Sequence, residues 1–170
     1  MALKTLAITL LVFLVQLLQF SVPAQSQSSV NAGYWFLDSG LAASDINSTL
    51  FTHLFCAFAD LDPNTKQVTI SSSNNASFAQ FTQTVRLKNP SVITLLSIGG
   101  GNSNDADFAA IASNSTSRKS FIDSSLKVAR SYNFLGLDLD YEYPLSATDM
   151  VNLGTLLSEW RTAAATEATN

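Results

Sequence analysis

Between Gly136 and Pro144 the chain reads Gly-Leu-Asp-Leu-Asp-Tyr-Glu-Tyr-Pro, which sets Asp138, Asp140 and Glu142 two residues apart within an apolar run. Successive strand residues point to opposite sides, so Leu137, Leu139 and Tyr141 would cover one face and the three carboxyls would share the other. Like charges this close cannot all ionise where water is scarce, and at least one of the three is expected to keep a proton near neutral pH. A carboxyl that keeps its proton is what a general acid needs. The alternation also fits two plainer arrangements, an acidic solvent face or a loose divalent-cation site. Pro144 ends the strand and leaves Glu142 near its C-terminal tip. Tips of that kind are where α/β barrels keep their chemistry.

The surrounding elements must position these groups. Apolar patterning predicts a short strand over 34–36, a weak helix over 44–48 and a strong strand over 51–59. After a loop with Asp62-Pro63-Asn64, residues 67–70 could add an extra strand. A helix over Asn75–Arg86 places Phe78, Phe81 and Val85 on one stripe. Asn89-Pro90 ends that region, and a strand over 91–98 runs into Gly99-Gly100-Gly101. The glycines lack the lysine and spacing of a phosphate loop. A helix over 117–131 turns Phe121, Ile122, Leu126 and Ala129 inward, and a strand over 134–143 carries the carboxyls. The last helix, 148–167, repeats Met150, Leu153, Leu156, Leu157 and Trp160 at helical spacing. Four strand-helix units predict an α/β fold with parallel strands and helices outside. A (β/α)8 barrel uses eight such units and about 200 or more residues, whereas this chain has 170.

Lys4, the apolar stretch 6–18 and Val22-Pro23-Ala24 read as an export signal cleaved near Ala24, with 1–24 as signal and 25–170 as the mature domain. The stretch is short for a membrane span and no stop-transfer charges follow, so no membrane anchor is expected. The formal charge of −4 becomes slightly more negative without Lys4 and argues against nucleic acid as a partner. On an exported chain, the sequons at Asn47, Asn75 and Asn114 are expected N-glycan sites. Cys56 is the only cysteine, so no intrachain disulfide can form, and its apolar setting predicts a buried, inert thiol. The single His53 reads as structural or edge-exposed. No histidine adjoins the carboxylates, and neither a metal ion nor a cofactor is expected.

Gly136 to Pro144, together with Ser97-Ile98-Gly99-Gly100, resembles the two signature segments of glycoside hydrolase family 18. Gly33-Tyr34-Trp35-Phe36 and Thr52-His53-Leu54-Phe55-Cys56-Ala57-Phe58-Ala59 extend the likeness to the plant class V chitinases. The resemblance implies a (β/α)8 TIM-barrel family fold, of which the chain holds about the first four β/α units. It implies retaining, substrate-assisted cleavage of β-1,4 bonds in chitin or N-acetylglucosamine oligosaccharides, without cofactor. Glu142 would protonate the glycosidic oxygen, Asp140 would orient the N-acetyl group that closes to an oxazolinium, and Asp138 would modulate Asp140. Tyr34 or Phe36 would help form the sugar floor, with core packing as the alternative for either. Ser97, Gly99 and Gly100 would shape the third strand's tip for close approach of ligand, or form a plain turn. Leu135 stands where the family pattern often has aspartate, and Tyr141 where tryptophan is usual. By alternation Tyr141 is expected to face the outer helices. The family's later strands carry a tyrosine, a Met-x-Tyr-Asp-like segment and a tryptophan that do not map onto this chain. The export signal predicts a secreted product, extracellular or vacuolar, and the open edges of a half-barrel would close in a homodimer if the half-barrel is a real product. Binding without turnover, as in a lectin, and hydrolysis of lipochitooligosaccharides are the alternative functions.

Overall fold

The computed structural model describes residues 29–168, so the expected signal over 1–24 lies outside the described residues. The described residues form five strands: β1 (Ala32–Phe36), β2 (His53–Asp62), β3 (Gln67–Thr69), β4 (Ile93–Gly99) and β5 (Gly136–Asp140). The helices are α1 (Asn75–Arg86), α2 (Asp105–Ser113), α3 (Ser115–Ser131) and α4 (Ala147–Glu167). β1, β2, β4 and β5 lie side by side in that order, all parallel, and β3 pairs antiparallel with the far end of β2. This is a partial barrel of four β/α units, with β1 and β5 as the open edges among the described residues.

The register assigns each residue to a face. Trp35, Cys56, Leu96 and Leu137 form one row across the four parallel strands, and Trp35 stacks on Phe81 of α1 at 5.1 Å, so this row faces the helices. Here the core is dry: Cys56, Leu96, Phe78, Phe81 and Phe121 are fully enclosed, each large side chain contributing about 1.5–3 kcal/mol by burial. Phe121 meets Trp160 edge-on at 5.3 Å, and the Trp160 indole donates to Ser125 Oγ at 2.9 Å. Thr82 and Thr94, both buried, satisfy each other at 2.8 Å. Burial pushes the Cys56 thiol far up, in keeping with the inert cysteine expected from sequence.

Several boundaries differ from the sequence reading. The weak helix over 44–48 is replaced by two 3₁₀ turns, Ala43–Asp45 and Ser48–Leu50, where Ser48 Oγ donates to the Val85 carbonyl instead of sustaining a helical turn. The pattern over 67–70 forms the extra strand. Helix α2 is not anticipated by the sequence reading, although Asn104 caps it by accepting from the Ala106 amide at 3.0 Å and Asp105 and Asp107 sit in its first turn. On α4 the predicted stripe is only partly covered. Leu156 and Trp160 are buried, Met150 and Leu157 are exposed, and Leu157 borders a cavity of about 580 Å³ between α4 and the open edge of β5. Ser146 starts α4 by accepting from the Asp149 amide at 3.1 Å while donating to its carboxylate at 2.7 Å. Finally, β5 ends at Asp140, short of the expected 143, because its ladder stops where Gly99 of β4 pairs with Asp140.

Candidate active site

The second face of the sheet holds Tyr34, Phe55, Leu95 and Gly136 in one row, with Ser97 opposite Asp138 and Gly99 opposite Asp140 towards the strand ends. Ser97 Oγ donates to Asp138 Oδ2 at 2.7 Å. Tyr34 reaches over β2 and β4 to donate to the same oxygen at 2.9 Å. The Tyr34 ring is held by stacking on Phe55 at 4.5 Å. Burial, its bond to Asp138 and the charges of Asp138 and Asp140 push the Tyr34 phenol up to about 12, so it stays a donor across the physiological range.

Asp140 is the carboxyl whose affinity for a proton rises. Burial contributes most, followed by the charges of Glu142 and Asp138 and a hydrogen bond with Glu142. Asp140 is thus the carboxyl that fits the expected retained proton, while one Asp138 oxygen is occupied by two hydroxyl donors. Glu142 is not a strand residue. It follows the end of β5 in the irregular segment to Pro144, so its placement beside Asp140 comes from that segment and not from the strand's pleat. The neighbouring Glu142 carboxylate pushes the Tyr143 phenol up, by hydrogen bonding first and by its charge. Sequence reasoning missed this partner, although Tyr143 lies next to the acid in the same motif. Tyr141 points the other way, stacking on Phe108 of α2 at 5.1 Å, as expected of a residue facing the helices.

The glycines bring the ends of β4 and β5 together. Gly99 has φ 112°, and a Cβ there would lie 2.3 Å from the Asp140 carbonyl oxygen. Gly100, with φ 84°, donates its amide to that oxygen at 2.8 Å. A side chain at Gly99 would push this junction apart, and one at Gly100 would run into the Phe58 ring, 2.7 Å away. Ser97, expected to help shape the strand's tip, is fully buried two pairs below the Gly99–Asp140 pair and donates to Asp138. Phe36 is 41% exposed at the end of β1 and its ring tilts against Phe58 at 6.1 Å; Tyr34 is 57% exposed. Both therefore border the open concave surface. His53 opens β2 and its Nδ1 lies 2.9 Å from Thr52 Oγ1. Among the described residues no three His, Cys, Asp or Glu side chains converge to hold a metal ion.

A four-stranded parallel α/β sheet with carboxyls clustered at the end of β5 has the architecture of a partial (β/α)8 barrel. The sequence matches Glycosyl hydrolases family 18 over residues 27–170, and the chain belongs to that family. It is 61% identical over 147 residues to a class V chitinase of Arabidopsis thaliana, covering 86% of this chain and 39% of that one. A mutant class V chitinase from Nicotiana tobaccum, crystallised in complex with NAG4, superposes with a TM-score of 0.81 at 63% identity, over 83% of this chain and 40% of that one. The chitinase-like agglutinin RobpsCRA from Robinia pseudoacacia gives the same TM-score at 62% identity, over 83% and 43% of the two chains. The chain thus spans about two fifths of the length of these relatives.

Proposed function

We propose that this chain carries the acid half of a glycosidase site for β-1,4-linked N-acetylglucosamine. The observation that supports this best is the coupling of Asp140, with its raised proton affinity, to Glu142 beside an Asp138 fixed by Tyr34 and Ser97. In the mechanism Glu142 delivers its proton to the glycosidic oxygen as the bond breaks. The substrate's own N-acetyl oxygen attacks the anomeric carbon, and Asp140, hydrogen-bonded to Glu142 before the reaction, turns its carboxyl to the N-acetyl group. Asp138 takes up the compensating hydrogen bond on its free oxygen. Water then opens the oxazolinium, with Glu142 as base, and the anomeric configuration is retained. Tyr34 and Phe36 border the sugar floor, and Gly99 and Gly100 leave room for close approach at its edge.

The polymer and its oligosaccharides are the proposed ligands, with lipochitooligosaccharides as a related substrate class. The product is exported after cleavage near Ala24, to the extracellular space or the vacuole, and carries N-glycans at sequons among Asn47, Asn75 and Asn114. Among the described residues no helix is long and apolar enough to cross a membrane. Turnover by the chain alone would require the open edges of β1 and β5 to pair in a homodimer. The test is hydrolysis of the N-acetylglucosamine tetramer by the secreted chain beside Glu142→Gln, with circular dichroism of both. Turnover that falls about 10²- to 10⁴-fold in the variant supports the reading; turnover equal in the chain and in the variant overturns it.

The likeness to an agglutinin at 62% identity favours a second reading, sugar binding without hydrolysis. Binding of the tetramer that is equal in the chain and in Glu142→Gln, with zero turnover in both, would select it.

A further inference from the structure

We propose that Asn114 is a glycan acceptor whose two amide atoms act separately: Nδ2 carries the sugar while Oδ1 caps helix α3. The proposal rests on the export reading above. Asn114-Ser115-Thr116 forms the junction between α2 and α3, and all three residues are exposed. Asn114 is extended, φ −119° and ψ 125°, and its Oδ1 accepts from the Ser117 amide at 3.0 Å. No hydrogen bond engages its Nδ2 among the described residues. An N-glycan adds to Nδ2 and leaves Oδ1 a carbonyl acceptor, so sugar and cap are compatible on one side chain.

The other sequons differ in what their Oδ1 holds. At Asn47 it accepts from the hydroxyl of Thr49, the sequon's own threonine, at 2.7 Å. At Asn75, already in the first turn of α1, it accepts from the Tyr132 phenol. Only at Asn114 does the acceptor atom start a helix. In the transfer, Nδ2 displaces the lipid diphosphate from the anomeric carbon of a lipid-linked oligosaccharide. The C1–O bond breaks, the C1–N bond forms, the amide loses one proton, and nothing is oxidised or reduced.

This arrangement separates two variants that both lose the sugar. Thr116→Ala destroys the sequon and keeps the cap, whereas Asn114→Ala destroys both. The full chain is secreted from a plant host, the peptide containing Asn114 is weighed, and each variant is melted after enzymatic removal of N-glycans. Expected are a glycosylated Asn114 peptide in the wild type, bare peptides in both variants, and a Tm for Asn114→Ala about 3 °C below that of Thr116→Ala. A processed N-terminus with bare Asn114 overturns the acceptor assignment alone. An intact N-terminus with no glycan overturns the export reading and the acceptor assignment together. Equal melting of the two variants overturns the capping half.

Discussion

The two faces of one sheet are built from alternate residues of the same strands, yet they are under opposite demands. Towards the helices, Trp35, Cys56 and Leu96 are sealed against Phe81 and its neighbours, and among the described residues no buried side-chain polar atom lacks a partner. On the concave side, one residue away along each strand, Tyr34 and Phe36 are half open and carboxyls crowd together at the strand ends. The first face minimises free energy. The second gives some of it up, since a carboxyl whose proton affinity is raised disfavours folding once it ionises. Stability and chemistry are thus separable by substitution.

The sharpest break in that comparison is Phe81→Ala. It empties the outer core beneath Trp35 and Phe134 and should cost about 3–5 kcal/mol in denaturant unfolding. Gly99→Ala tests the junction between the faces. The methyl would collide with the Asp140 carbonyl at a left-handed φ, for a loss on the order of 3 kcal/mol, together with loss of any sugar turnover.

Asp140→Asn should reverse the sign. The folded-state pKa of Asp140 is raised, so its contribution to stability is present below the unfolded value and is lost as pH rises through the folded one. The asparagine variant should therefore melt higher than wild type at pH 7, with the gain vanishing near pH 3, while activity falls. A lower Tm at pH 7 would mean that the concave face is not strained. The smallest effect is expected at Arg118, which clamps Glu159 of α4 with bonds of 2.8 and 2.9 Å and also reaches the Ala112 carbonyl. The guanidinium holds Glu159 below the usual carboxylate range. Its support is present above the unfolded pKa and is lost as pH falls through the folded one, so Arg118→Ala should lower Tm at pH 7 and by less in acid, where only the bond to the Ala112 carbonyl separates it from wild type.

Strand order and the outer core were legible because apolar runs and the Phe78, Phe81, Val85 stripe report directly on burial. Spacing also put Asp138 and Asp140 two apart on one strand, where their charges meet. It could not show that Glu142 lies past the end of β5, because alternation continues in the sequence where the ladder has lost its partner. Nor could it find the link from Tyr34 to Asp138, which joins the first and last strands across 104 positions. Helix α2 was obscured by its brevity and by the polar Asn102-Ser103-Asn104 run, even though that run ends in its cap. The outward stripe of α4 was overread because helical spacing shows which side is apolar but not whether a neighbour covers it.

The bond from the Gly100 amide to the Asp140 carbonyl links two segments forty residues apart in the chain. Its hydrogen can exchange with solvent only when β4 and β5 separate at their tips. That single amide is therefore a built-in clock for the site: its exchange rate measures how often the carboxyls lose their geometry, independently of whether the outer core remains folded.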